Sequence, residues 1–218
     1  MEAEYFCCAC GTPFQNRFPL DEEGRCALCR NGLRGFDAAY CYGVYGGVLR
    51  RLIHLFKYQR VRSLEGPLAD YLLRALPRDG RFDAIVPVPL HWRRRWRRGF
   101  NQCELLAREV SRRTGIPVAK ALRRPLASKA QAGLTLAARR HNVKISSFSA
   151  AANVAGQSIL LLDDVLTTGS TATACALALK RAGAVRVSVL TVARADRLWQ
   201  VAPKSRVAIG EGSAAYGQ

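Results

Sequence analysis

The sequence predicts an α/β fold: a mainly parallel sheet flanked by helices, behind a small cysteine-rich module. Three observations predict it. From Ala84 onward, short apolar segments alternate with segments of helical period, the rhythm of strand–helix–strand units. Ser158–Leu162 runs apolar without alternation, as strands covered on both faces do. Residues 1–35 carry closely spaced cysteines and glycines with little periodicity, so something other than a hydrophobic core must hold them.

In that first module, Cys7-Cys8-Ala9-Cys10 and Cys26-Ala27-Leu28-Cys29 form two C-x-x-C pairs. Each pair can make a knuckle that aims two thiolates at one ion, and two knuckles complete a tetrahedral shell. Cys7, Cys10, Cys26 and Cys29 are therefore candidate zinc ligands in a zinc-ribbon-like module, against a dithiol redox pair or idle thiols. Cys8 reads as a bystander. Cys41, Cys103 and Cys175 are isolated and read as small core residues. A closed four-thiolate site is structural and leaves no position for substrate.

Phe36–Val48 mixes aromatic and β-branched residues and turns at Gly46-Gly47. Leu49, Leu52, Ile53 and Phe56 then recur at helical spacing, predicting a helix over Val48–Tyr58. A second helix is expected over Leu64–Leu76, ended by Pro77. Ala84–Val88 reads as a strand and Asn101–Thr114 as a helix stopped by Gly115. Ser158–Leu162 reads as a strand, Ser170–Ala182 as a helix closed by Gly183, and Val185–Val192 as a strand. The expected division is a module over 1–35, a main domain over 36–194 and a loose tail over 195–218.

The chain has 218 residues, 49% of them hydrophobic, enough to bury a core without disulfides. Its formal net charge is +18, carried mostly by arginine, which predicts attraction to polyanions: phosphorylated small molecules, nucleic acid or anionic surfaces. No apolar run approaches bilayer length, and Met1–Cys10 lacks the pattern of a secretory signal. The expected location is cytoplasmic, where the eight cysteines stay reduced.

The candidate site lies in Ile159–Thr171. An apolar strand delivers Asp163 and Asp164 at its carboxyl end, where ligands bind in such sheets. A turn rich in hydroxyls follows and opens a helix. Free backbone N–H groups and the helix dipole there suit a phosphate. Thr167, Thr168, Ser170 and Thr171 add donors, and Gly169 allows close approach. Asp163 and Asp164 accept only, which suits sugar hydroxyls and a magnesium shell. The plainer alternative is a strand end followed by a helix that Ser or Thr caps.

The string LLLDDVLTTGST resembles the phosphoribosyl pyrophosphate motif of type I phosphoribosyltransferases. Leu52–Tyr58, Val86–His91, Arg98–Gln102, Gln131–Leu134, Arg139–Asn142 and the double knuckle together resemble the ComF family of competence-associated proteins. The resemblance implies a type I phosphoribosyltransferase-like fold. It implies that Asp163 and Asp164 hold ribose hydroxyls, with magnesium bridging to pyrophosphate. Val165, Leu166, Thr167, Thr168, Gly169, Ser170 and Thr171 would complete the phosphoribosyl pyrophosphate site, the last five cradling the 5′-phosphate. Pro87, Val88, Pro89 and Leu90 would form the pyrophosphate loop, and Arg98, Asn101 and Gln102 would belong to a mobile cover. Where the family often shows T-P-P-Q, this chain has Ser128-Lys129-Ala130-Gln131.

His91–Phe100 packs arginines among aromatics, the composition that binds single-stranded nucleic acid by charge and stacking. Arg94, Arg95 and Arg97 are the candidate contacts. Alternatively, these arginines serve the small ligand's pyrophosphate, or form a solvated basic face. His54 and His141 read as packing or hydrogen-bonding residues. The expected function is binding of phosphoribosyl pyrophosphate with magnesium, in a protein that handles single-stranded DNA in natural competence. The alternatives are an active phosphoribosyltransferase with a nucleobase-like acceptor, and a module that docks on DNA-uptake proteins.

Overall fold

The structure, a computed structural model, describes residues 5–14, 16–18, 20–30, 35–59, 61–78, 80–90, 96, 98–124 and 148–195. The N-terminal module contains two short strands, β1 (Tyr5–Phe6) and β2 (Pro13–Phe14), paired antiparallel, and one helical turn, α1 (Ala27–Arg30). The main domain runs β3 (Ala38–Val44), α2 (Gly47–Tyr58), α3 (Glu65–Ala75), β4 (Ala84–Pro87), α4 (Gln102–Thr114), β5 (Leu122–Arg123), β6 (Ser149–Ala150), β7 (Ser158–Leu166), α5 (Ser170–Arg181) and β8 (Arg186–Arg194). A single 3-10 turn, Arg62–Leu64, leads into α3.

Four strands form a parallel sheet in the order β3-β8-β7-β4, and β5 pairs with β6 antiparallel outside it. Consecutive residues Ile159 to Leu162 are all fully buried, which requires cover on both faces of β7. Packed against each other, α3 and α4 lie on the sheet, while α5 packs on β7 and β8 and touches β5 and β6. The Arg113–Asp70 ion pair ties α4 to α3.

Two boundaries differ from the sequence reading in a way that matters for the site. The strand predicted to stop at Leu162 continues to Leu166. Its neighbour β8 runs alongside to Arg194, pairing Val165 with Ala193 and Leu166 with Arg194, and both apolar side chains are buried. The two aspartates therefore sit inside the last turnout of a strand, held by its ladder. Phe36–Val48, read only as aromatic and β-branched, supplies the edge strand β3, and the following helix starts one residue earlier than predicted, at Gly47. Elsewhere local signals held: Asn101 caps α4 by accepting the Cys103 N–H, and Gly115 ends it at φ 77°.

The module docks on the edge of the sheet. The Ala39 N–H of β3 donates to the Ala9 carbonyl at 3.0 Å, and the Cys41 thiol donates to the Gly11 carbonyl at 3.3 Å. Gly11 has φ 61°, and a Cβ there would meet the Ala39 carbonyl at 3.1 Å, so the close approach requires glycine. Among the described residues no helix is long and apolar enough to cross a membrane.

Candidate functional site

Both knuckles converge. The ligand atoms of Cys7, Cys10, Cys26 and Cys29 lie within 4.8 Å of one another, and all four residues are buried. The Cys7–Cys29 and Cys26–Cys29 sulfurs are 3.4 Å apart, and Cys10–Cys26 are 3.7 Å apart. A tetrahedron with Zn–S bonds of about 2.3 Å has edges of about 3.8 Å, so the donor set fits. Cys8 stands outside, exposed, with its thiol on the Glu23 carbonyl. The thiols do not ionise alike: hydrogen bonding, chiefly from Cys10, holds Cys7 down to about 4, while burial pushes Cys29 up to about 12. Four thiolates together need a cation. These four cysteines could bind a metal ion such as zinc.

The second cluster forms where β7 ends. Asp164 is only 5% exposed. Its Oδ1 accepts from Lys57 Nζ at 2.8 Å, and its Oδ2 accepts from Gln102 Nε2 at 3.0 Å. Asp163 Oδ1 accepts the Asp164 N–H at 2.9 Å and the Cys103 thiol at 3.5 Å. Burial, reinforced by the charge of Asp164, raises the Asp163 carboxyl to about 7. Burial alone would pull the Lys57 ammonium down, but Asp164 and then Asp163 more than reverse this, and its pKa ends above the ordinary value. Burial pushes the Cys103 thiol well up, so it stays protonated beside two carboxylates.

The structure joins several predicted residues to this cluster. Pro87 ends β4, and the Val88 N–H continues the ladder to the Leu162 carbonyl at 2.9 Å. Asn101 Nδ2 donates to the Val88 carbonyl at 3.2 Å, which fastens the Pro87–Leu90 turn to the start of α4. Gln102 is the next residue and reaches Asp164. Arg98 is 6% exposed and lies over the Tyr58 ring at 4.7 Å. Arg98, Asn101 and Gln102 are thus packed against the carboxylates' own support, rather than standing clear of it.

Beyond the strand, Thr167, Thr168 and Thr171 are exposed, and Thr168 Oγ1 and Ser170 Oγ lie 2.8 Å apart. The helix cap falls on Gly169, at φ 77°, which has no side chain to cap with, and the Thr168 hydroxyl beside it accepts the Ser170 N–H at 3.3 Å. One hydroxyl thus serves the first helical N–H, and the others flank the helix entrance. Val165 and Leu166 face the core and offer the site only their backbone. Arg94, Arg95 and Arg97 lie outside the described residues, as do Ser128–Gln131, Arg139, Arg140 and His141. Trp96 is described and is 86% exposed. His54 is exposed and packs on Tyr58, ring centroids 4.6 Å apart. A separate cleft, lined by Leu73, Leu76, Arg78, Phe82 and Ile116, opens at the amino end of β4, away from these groups.

The model of the phosphoribosyl transferase domain matches residues 101–208. Competence protein F of Haemophilus influenzae is 33% identical over 201 residues, covering 87% of this chain and 85% of that protein. The chain belongs to the competence protein F family. DNA utilization protein YhgH of Escherichia coli K12 is 36% identical over 157 residues, 69% of each chain. Among solved structures, the glutamine phosphoribosylpyrophosphate amidotransferase of B. subtilis, complexed with ADP and GMP, overlays with a TM-score of 0.43 at 23% identity. The overlay spans 59% of this chain and 26% of that one.

In this family member, sequence reasoning missed Lys57 and Cys103 as neighbours of the carboxylates. A signal for Lys57 existed. In a chain whose positive charge is almost all arginine, a lysine one step past the buried Phe56 of α2 is a compact cation placed among core residues. Cys103 had no such signal, because a thiol in an apolar helix reads as core.

Proposed function

We propose that the rim of the sheet binds phosphoribosyl pyrophosphate or a closely related phosphoribosyl ligand. The observation that carries this reading is the pairing of two adjacent carboxyl groups on β7 with a hydroxyl-lined helix entrance that follows the strand after three residues. The carboxylates suit a ribose diol. The Thr167–Thr171 turn, rich in hydroxyls and set at a positive dipole end, suits the 5′-phosphate. On this reading the Pro87–Leu90 turn and Arg98 would face the pyrophosphate, which is supported by Asn101 holding that turn while the adjacent Gln102 reaches Asp164. The closeness of the two carboxyl groups suits magnesium, which Asp163 and Asp164 would hold in exchange for the Lys57 ammonium on Asp164; when bound it would neutralise phosphate charge. In the cysteine module the ion is zinc, and its role is to fold the knuckles.

The matched phosphoribosyl transferase domain supports the ligand class. The relatives' names, competence and DNA utilization, support a setting in DNA uptake or use. An exposed Trp96 within an arginine-rich segment favours contact with single-stranded DNA, since bases stack on such rings while arginines follow the backbone.

Calorimetric titration with phosphoribosyl pyrophosphate and magnesium tests the ligand. Changing both Asp163 and Asp164 to Ala should weaken binding by about 100-fold or more, as two charge-assisted contacts are lost. Equal binding by the double variant removes the assignment. Pyrophosphate release with a panel of nucleobase acceptors decides whether the protein also transfers the sugar. For DNA, affinity for a single-stranded oligonucleotide should fall steeply with salt and fall again when Arg94, Arg95 and Arg97 become Ala. Binding indifferent to both takes DNA off the list.

A further inference from the structure

Arg194 is the last residue of β8 and is only 2% exposed. Its backbone is fully engaged. It pairs with Leu166 of β7 and Val44 of β3, and its carbonyl accepts the Tyr45 N–H at 2.8 Å. Its side chain is not. Nε and Nη1 are buried without a hydrogen-bond partner, and Arg194 makes no ion pair among the described residues. A guanidinium keeps its charge at every ordinary pH, so it cannot escape burial by losing a proton. Held away from water with no anion beside it, such a charge is strongly unfavourable. A fold that retains it must supply the anion from something the protein binds.

The surroundings show on which side that anion lies. The strand next to β8 is β3, and β3 carries the cysteine module. There the Ala39 N–H donates to the Ala9 carbonyl, and the Cys41 thiol donates to the carbonyl of Gly11, the residue after Cys10. The charge of Arg194 is felt at both thiols. Burial pushes Cys41 up to about 11, and Arg194 opposes it. Cys7 and burial push Cys10 up, and Arg194 is the largest of the influences that oppose them. Four thiolates around a divalent ion keep a net negative charge that the ion alone does not cancel. Other cations are poorly placed to meet it. Arg25, next to Cys26, is paired with Asp21 and Glu23, and Arg30, next to Cys29, is exposed to solvent. Arg98, the other buried arginine among the described residues, lies over the Tyr58 ring.

We infer that Arg194 is the charge partner of the metal–thiolate centre: a buried guanidinium delivered by the main sheet offsets the negative charge that the four cysteines and their ion carry. The inference rests on the metal reading of the module. It makes the end of β8 part of what holds the ion, so the module's affinity for metal is set partly from outside the module.

The test measures the zinc affinity of the full chain, by competition with a chromophoric chelator, for wild type, Arg194→Met and Arg194→Lys. Arg194→Met should hold zinc about 10- to 100-fold more weakly, the scale on which groups behind metal ligands act. Arg194→Lys, which keeps the charge, should retain most of the affinity. The charge should matter only while the ion is bound. Arg194→Met should therefore lower the urea stability of the zinc-loaded protein and leave that of the metal-free protein unlowered, whereas a residue that merely packs would lower both. In wild type, the Nε–H signal of Arg194, assigned by its absence from the lysine variant, should shift when zinc is taken up. Should Arg194→Met not fold, that signal and the lysine variant decide. Unchanged zinc affinity in Arg194→Met, or a guanidinium signal that ignores zinc, overturns the inference while the metal assignment stands. So does a variant that loses phosphoribosyl pyrophosphate but holds zinc as before, which would assign Arg194 to the rim. If wild type takes up no metal, the metal assignment has failed and takes the inference with it.

Discussion

Residues 5–30 and the four-stranded sheet are both built around buried side chains, but these are sulfurs in one and hydrocarbon in the other. The module has strands of two residues each, a single helical turn, and exposed Tyr5, Phe6 and a 97% exposed Phe18. Cys7, Cys10, Cys26 and Cys29 are its inside. In the sheet, Ile159–Leu162, Val187, Val189, Leu190 and Val192 have no contact with solvent and are covered by helices. A core of hydrocarbon is stable by removal from water. A core of four thiols is not, because they repel one another once ionised and waste their donors when protonated. On the zinc assignment proposed above, the same chain uses two sources of order, one needing an ion and the other needing none.

Metal removal should give the largest effect. Stripping the ion with a mercurial and a chelator should release one equivalent of metal and abolish hydrogen-exchange protection across Cys7–Cys29, a loss on the scale of about 10 kcal/mol. Protection on β7 and β8 should persist. A module that keeps its protection without metal would end the contrast. Next comes Leu161→Ala, which hollows the centre of β7. It should lower the sheet's stability by about 2–5 kcal/mol in urea, with metal content unchanged. A parallel loss of metal would show that the two cores fold as one.

The smallest effect sharpens a second contrast, between hydrocarbon burial and charge burial within β7 itself. Asp163 keeps its proton up to about pH 7 in the folded protein and loses it near 3.8 when unfolded. The folded form binds the extra proton between those values, so stability is fullest below the lower one and declines as pH rises through the upper. Asp163→Asn should flatten this slope and raise stability at pH 8 by about 2 kcal/mol, read from unfolding curves between pH 5 and 8. A slope that survives the substitution would place the burial cost on another group.

Much of this was legible along the chain because it depends on local rules. The C-x-x-C spacings specified the sulfur cluster, and Cys8 fell outside it as expected. Gly115 ended its helix, and the unbroken apolar run at Ile159–Leu162 marked the strand buried on both faces. Less legible was anything set by a neighbouring strand. Asp163–Leu166 looked like strand end and loop, and only pairing with β8 as far as Arg194 keeps it extended. Arg98 was expected in a mobile cover over the site, and nothing in the sequence foretold that packing over the Tyr58 ring buries it.

By itself the sequence determined which chemistry is present: four thiols at knuckle spacing, two acceptor-only side chains, and a hydroxyl turn with glycine at a helix start. Spacing fixes such features because they span a few residues. Tertiary structure alone decided who neutralises whom. Lys57, Gln102 and Cys103 reach the aspartates across 60 residues or more, from helices whose approach depends on sheet order and packing. A buried charge must find a partner wherever the fold delivers one, and linear spacing carries no record of that meeting.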